Sequence, residues 1–248
     1  MFPNMKLSGN KILITGGASG IGLGLARRFV QEGNEVIICG RRESALEEAE
    51  SEVPGIVTRA ADISTADGRT ELFDWIAKEH PDTNVLVNNA GIQQWMSIED
   101  DDFFQRAEIE IATNIEAPVH LTALFVKLNS IDTIMNVTSG LSFAPLVKTP
   151  VYSATKAFFH SFTLSLRYLL KPKGIEVIEI IPPAINTDLG GKGLHDFAPP
   201  VSEFIDAIFE QLKEGKIDLT FGLSEKALNA GPAELEYIFN TLNQPQDR

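Results

Sequence analysis

Cysteine is nearly absent from this sequence: Cys39 is the single one among 248 residues. No disulfide can form within the chain, a cysteine-held metal cluster is excluded, and a reducing compartment fits. Basic residues are scarce as well. The 21 Lys and Arg stand against 34 Asp and Glu, a formal net charge of −13. That balance argues against nucleic acid or an anionic membrane as partner, because sequence-independent phosphate binding needs clustered cations. Long apolar runs are missing too. None approaches the ~20 residues of a membrane-spanning helix, and residues 1–10 lack the apolar stretch of a secretory leader. The expected location is therefore cytoplasmic. Internal repeats, low-complexity blocks and an interdomain linker are also lacking. What is left, 44% hydrophobic and 22% charged, is the balance of a soluble globular protein, long enough for one large α/β domain.

Short apolar runs alternate with amphipathic stretches. Residues 11–15, KILIT, read as a first strand, followed by Gly16-Gly17-Ala18-Ser19-Gly20-Ile21-Gly22-Leu23-Gly24 and a helix to Gln31 that Gly33 stops. Gly16, Gly20 and Gly22 let the backbone turn sharply and approach a pyrophosphate, whose charge then faces a helix N-terminus. A glycine cluster alone is often a plain turn, but directly after a first strand it points to nucleotide binding. The second strand, 35–39, is followed by Gly40, Arg41 and Arg42. An NAD site places an acid there for the ribose 2′-hydroxyl. With no carboxylate and two guanidiniums able to hold a 2′-phosphate, NADP(H) is expected over NAD(H), with Arg41 the stronger candidate. A third strand, 56–60, leads to Asp62, which either bonds the adenine amino group or caps a helix beginning near Ser64. The fourth strand, 84–87, runs into Asn88-Asn89-Ala90-Gly91, small enough for a cofactor to lie against.

A long helical region then runs to about Asn129, interrupted by Pro118. Its Asn114, in apolar surroundings, is either a satisfied core group or the holder of a proton-relay water. A fifth strand, 131–137, ends in Thr138-Ser139-Gly140, and a sixth, 174–181, in Pro182-Pro183-Ala184-Ile185-Asn186-Thr187. The Gly- and Pro-rich residues 188–200 match no phosphate-loop pattern and read as a mobile lid over substrate. A helix at 201–214, a seventh strand at 217–221, two short helices and a polar tail at 244–248 follow.

Between strands five and six lies Tyr152-Ser153-Ala154-Thr155-Lys156. Four residues apart on a helix, the tyrosine and lysine share one face. With Thr149 as N-cap and Pro150 as first helical residue, Tyr152 falls in the first turn, where the helix dipole favours negative charge. A free tyrosine titrates near ~10, so exchanging protons near neutrality asks for roughly 3–4 kcal/mol. One ammonium about 4 Å away supplies ~4 kcal/mol at an effective dielectric near ~20. The same helix, predicted over 150–171, is apolar round much of its circumference, including Phe158, Phe159, Phe162, Leu164, Leu166, Tyr168 and Leu169. One face suits the sheet; the surplus predicts a subunit contact, hence a homodimer or homotetramer.

Thr15-Gly16-x-x-x-Gly20-x-Gly22, Asn88-Asn89-Ala90-Gly91, Ser139 and Tyr152-x-x-x-Lys156, in this order over the whole chain, resemble the classical short-chain dehydrogenase/reductase family. Within it the chain is similar to bacterial oxidoreductases named after the D-alanylation operon of teichoic acids. The resemblance implies a single-domain Rossmann fold: a doubly wound parallel sheet of about seven strands with helices on both faces. It implies an NADP(H)-dependent oxidoreductase acting on a small carbonyl or secondary alcohol, with no metal. In that reading Tyr152 is the acid/base, Lys156 lowers its pKa and binds the nicotinamide ribose, Ser139 hydrogen-bonds the carbonyl and Asn114 is the relay asparagine. The implied cofactor contacts are Gly16, Ser19, Gly20, Ile21, Gly22, Arg41, Asp62, Ile63, Asn89, Ala90, Gly91, Tyr152, Lys156, Ile185 and Thr187. Gln93, Gln94, Trp95, Met96, Leu141, Phe143, Leu146 and Val147 are expected to line a mostly apolar substrate pocket. One departure stands out: the family usually has Pro-Gly where this chain has Pro182-Pro183, which removes an N–H beside the nicotinamide position. It supports an alternative, an NADPH-binding redox sensor or scaffold with little turnover.

Overall fold

Strand β1 (Lys11–Thr15) shows what organises the chain: Ile12, Leu13 and Ile14 have no exposed surface. Consecutive strand residues point to opposite faces, so an unbroken apolar run requires cover on both sides. The computed structural model, which describes residues 5–244, supplies that cover. β1 pairs in parallel with β2 (Glu35–Gly40), Thr15 opposite Cys39, and with β4 (Val85–Asn88), Leu13 opposite Leu86. Strands β3 (Val57–Ala60), β5 (Thr133–Val137), β6 (Glu176–Ile181) and β7 (Asp218–Thr220) complete a seven-stranded parallel sheet in the order 3-2-1-4-5-6-7.

Helices α1 (Gly20–Gln31), α2 (Glu43–Glu52) and α7 (Val201–Lys213) cover one face, where Ile12, Ile14 and Ile38 meet Leu25, Phe29, Leu46 and Phe209. Helices α3 (Ala66–Glu79), α5 (Ala117–Phe125) and α6 (Pro150–Leu170) cover the other, where Leu13, Ile37 and Leu86 meet Leu72, Leu121, Phe125 and Leu166. This is the doubly wound Rossmann arrangement. The chain leaves β1 toward β2 on one side and returns to β4 on the other, so a crevice opens at the carboxyl ends of these two strands.

Two local expectations are corrected. The helical region after residue 100 does not break at Pro118. Helix α4 (Phe103–Ile111) runs through a π turn, Ala112–Glu116, straight into α5, and Pro118 sits in the first turn of α5. Proline offers no N–H to the Asn114 carbonyl four residues back, and the ladder widens instead, the Ala117 N–H reaching Ala112. Asp62 is not a helix cap either: Thr65 caps α3, its hydroxyl accepting the Gly68 N–H at 3.1 Å. Helices α8 (Leu223–Asn229) and α9 (Pro232–Leu242) finish the fold. Of the polar tail, residues beyond Gln244 lie outside the described ones. Among the described residues no helix is long and apolar enough to cross a membrane.

Candidate active site

The turn after β1 is shaped by what its glycines lack. Gly16 has φ +64°, and a Cβ there would lie 2.8 Å from the Ala90 Cα; a Cβ on Gly22 would meet the Gly16 carbonyl oxygen at 2.2 Å. Two side chains tie this turn to the end of β4. Thr15 Oγ1 accepts the N–H groups of Asn89 (3.0 Å) and Ala90 (3.1 Å), and Asn89 Nδ2 donates to the carbonyls of Thr15 (2.9 Å) and Gly16 (3.1 Å). Ser19, the N-cap of α1, makes no side-chain capping bond. The first N–H groups of α1 therefore face the crevice without a capping acceptor, as an anion site requires.

All the cofactor contacts expected from the sequence line one cleft of about 2070 Å³. It runs from Arg41, Asp62 and Ile63, past Gly16, Ser19, Gly20, Ile21 and Gly22, to Asn89, Ala90 and Gly91, then Lys156, Tyr152, Ile185 and Thr187. Asp62 accepts hydrogen bonds from the Ser64 hydroxyl (2.7 Å) and N–H (3.0 Å), which with the nearby Arg41 charge hold its carboxyl below the usual range. Arg69, buried, donates to the carbonyls of Ile63 and Ser64 and to His120, and so fixes this loop; sequence reading gave no sign of it. Among the described residues neither Arg41 nor Arg42 forms an ion pair.

Tyr152 is the third residue of α6, after Pro150. It is buried, and the neighbouring Ser139 hydroxyl favours its ionised form. The Lys156 ammonium, also buried, lies 5.6 Å from the centre of the Tyr152 ring and donates to the Val137 carbonyl at 2.8 Å. Ser139 accepts the Leu141 N–H at 3.1 Å, which orients its hydroxyl. The electrostatics differ from the expected acidified phenol. Burial pushes the Tyr152 hydroxyl up, the bond with Ser139 counters in part, and the Glu110 charge raises it further. Burial brings Lys156 down to about 8. Desolvation penalises both charged forms.

Asn114 lies behind this group and does not line the cleft. Its Oδ1 accepts the Ile92 N–H (2.9 Å), and its Nδ2 donates to the Ile92 carbonyl (2.9 Å) and to Thr155 Oγ1 (3.2 Å). The side chain positions the Gly91-Ile92 segment; a Cβ on Gly91 would sit 3.4 Å from Asn114 Oδ1 and 3.6 Å from Lys156 Nζ.

On the substrate side Gln93, Trp95, Leu141, Leu146 and Val147 line the cleft as expected, while Gln94, Met96 and Phe143 do not. Gln94 turns outward to Arg106, Met96 is buried, and Phe143 packs edge-on against His160 at 4.7 Å. Sequence reading missed the last helix as a wall: Ile238, Thr241 and Leu242 line the cleft, and Asn243 clamps the loop before α6 through the Val147 N–H (2.8 Å) and Pro145 carbonyl (2.9 Å). Residues 187–199 form a loop closed at its base where the Asn186 N–H meets the Pro199 carbonyl at 2.9 Å. Among the described residues no group of three or more His, Cys, Asp and Glu is placed to hold a metal.

A Rossmann sheet with a glycine turn at its switch point, and a tyrosine, serine and lysine gathered at the carboxyl end of β5, define a nucleotide-dependent oxidoreductase. The model of the short chain dehydrogenase family matches residues 10–196, and the chain belongs to that family. It is 42% identical to a Bacillus subtilis protein named uncharacterized oxidoreductase DltE, over 98% of this chain and 100% of that one. It is 31% identical to the NADP-dependent 3-hydroxy acid dehydrogenase YdfG of Escherichia coli, over 69% of this chain and 71% of the relative. A short chain dehydrogenase from Burkholderia cenocepacia, solved in complex with NADP, shares the fold with a TM-score of 0.83 at 24% identity, covering 97% of this chain and 100% of that one.

Proposed function

We propose that the chain is an NADP(H)-dependent oxidoreductase that interconverts a small carbonyl compound and its alcohol, with Tyr152 as the proton donor and acceptor. The observation that carries this reading is the gathering of Tyr152, Ser139 and buried Lys156 in the same cleft as the glycine turn. The cradle fits a dinucleotide: the spaces that Cβ atoms on Gly16 and Gly22 would fill leave bare backbone at the α1 N-terminus. Arg41 would hold the 2′-phosphate, Asp62 and Ile63 the adenine end, and Asn89 to Gly91, Ile185, Thr187 and Lys156 the nicotinamide end. The bound nicotinamide supplies or takes up the hydride.

The remaining chemistry belongs to the protein. Ser139 holds the substrate oxygen by a hydrogen bond, and Tyr152 gives it a proton in reduction or removes one in oxidation. Because burial raises the phenol, Tyr152 carries its proton at neutral pH, the form that reduction consumes. Lys156, anchored on Val137, faces that phenol with its charge. Residues 188–200 act as a lid, and the Asn186–Pro199 bond serves as its hinge.

Tyr152→Phe tests the reading. It should lower kcat for carbonyl reduction by ~10²–10⁴, the usual worth of a general acid. Parental turnover in this variant would overturn the mechanism. Pro183, which lines the cleft without an N–H to offer, favours the second reading, a sensor or scaffold; NADPH binding with no oxidation over a broad carbonyl panel would select it. Copies of the chain are inferred to associate through α4 and α6, where Phe104 is 66%, Tyr168 82% and Leu169 64% exposed. A monomeric mass at all concentrations in light scattering would refute that.

A further inference from the structure

Glu110, on α4, has no exposed surface. Its Oε1 accepts the Gln94 N–H at 2.5 Å, whereas its Oε2 is buried without a hydrogen-bond partner. One helical turn on, buried Thr113 lines the cleft with Oγ1 unpartnered, and buried Gln93, next to the peptide that Glu110 holds, lines it with Oε1 unpartnered. Buried polar atoms left without partners each cost on the order of 1–3 kcal/mol, so two of them on the lining of one cleft, Gln93 Oε1 and Thr113 Oγ1, mark a place where a partner is missing. Burial accordingly pushes the Glu110 carboxyl up to about 7.

The neighbouring cation does not fill the gap. Arg106 is engaged with Asp100 (3.3 Å), Asp102 (3.6 Å), Gln94 Oε1 (3.1 Å) and the Trp95 carbonyl. The wall belongs to the reacting end of the cleft, since Asn114, next to Thr113, bonds both Thr155 on the helix of Tyr152 and Ile92, next to Gln93. The lid lies over it: a Cβ on Gly190 would be 2.9 Å from Gln93 Oε1. The Gln93 Oε1 accepts only, while the Thr113 hydroxyl can also donate. Their natural complement is a donor.

We infer that Gln93 and Thr113, backed by Glu110, form a substrate subsite under the lid that takes a hydroxyl or ammonium group of the carbonyl substrate and turns away a carboxylate. The subsite deepens the oxidoreductase reading above and rests on it for the identity of its ligand. A site built to hydrogen-bond a substrate group discriminates against the analogue lacking it far more than an apolar pocket does.

The test uses ketones carrying a hydroxyl on the first, second or third carbon from the carbonyl, each paired with the ketone that has methyl in its place, and levulinate as the carboxylate. NADPH oxidation gives kcat/KM, and calorimetry on the NADP⁺-loaded protein gives binding. At least one hydroxy ketone should exceed its methyl partner by roughly tenfold or more in both measures, with levulinate the poorest. Gln93→Met and Thr113→Val, near-isosteric changes whose folding is checked by Tm and NADPH affinity, should each bring the ratio down toward one. Turnover without hydroxyl preference, a preference untouched by both variants, or preferred use of levulinate would overturn the subsite, the two atoms then holding water only. Hydroxyl preference in binding without any turnover would keep the subsite and overturn the reaction.

Discussion

From Arg41 to Gly91 the wall of the cleft is largely backbone, held by side chains whose hydrogen bonds are already made; beyond Gly91 it is largely side chain, and some of it is unsatisfied. Thr15 and Asn89 commit their polar atoms to locking the glycine turn against β4. Among the described residues, the cleft-lining side chains with a buried, unpartnered polar atom are Gln93, Thr113 and His195, all on the far side. A surface that meets one unchanging ligand can be finished in the empty protein. A surface that chooses among substrates keeps open the bonds that do the choosing.

The strongest way to break this contrast is to strike the finished half alone. A Cβ on Gly22 would fall 2.2 Å from the Gly16 oxygen and 2.5 Å from Asn89 Nδ2, so Gly22→Ala must shift backbone. Overpacking of ~1–3 kcal/mol, at ~1.4 kcal/mol per tenfold, predicts up to ~100-fold weaker NADPH binding in a fluorescence titration. Gly140→Ala, at the other end, would place its Cβ no closer than 3.4 Å to any neighbour and should bind NADPH as the parent does.

Arg41→Ala sharpens the contrast within the finished half. Losing a charge-assisted bond of ~1.5–3 kcal/mol should narrow the preference for NADPH over NADH by ~10–100-fold, with NADH affinity held. A parent-like ratio of the two dissociation constants would remove Arg41 from the 2′-phosphate site.

The smallest effect concerns what supports the selective half. Glu179, with no exposed surface, accepts from Thr138 Oγ1 at 2.7 Å and lies 2.9 Å from His160 Nδ1, whose ring backs Phe143. The bond to Glu179 holds the His160 pKa above its ordinary value. The pair's contribution is therefore complete below about pH 6.5, where an unfolded histidine titrates, and is lost as pH rises through the folded value. With the ring half-exposed and screened, Tm should fall by no more than about 2–4 °C across that rise. His160→Gln should abolish this slope; an unchanged slope would assign it elsewhere.

The sheet was legible because its central strands are short apolar runs stopped by glycine or a polar turn, and strand ends differ from the sequence reading by only a residue or two. The cofactor half was legible for the same local reason: Gly16, Gly20 and Gly22 carry their meaning in their spacing. The other half was not. Glu110 sits in an acidic stretch that reads as a solvated face, and only the return of the Gln94 peptide over α4 buries it. Pro118 signalled a break because the π turn it provokes lies upstream of it. Asn243 meets Pro145 across nearly a hundred residues, a pairing that no local pattern announces. The acidity of the phenol was not legible for a different reason: a charge pair can be estimated from spacing, but the burial that opposes it cannot.

The bond between Asn186 and Pro199 has an evolutionary side. Because the two ends of residues 187–199 are tied to each other rather than to the tip, the loop can lengthen, shorten or change composition while β6 and α7 stay where they are. If the loop is the lid proposed above, descendants of such a chain can exchange one substrate range for another by rewriting it, without renegotiating the sheet behind it.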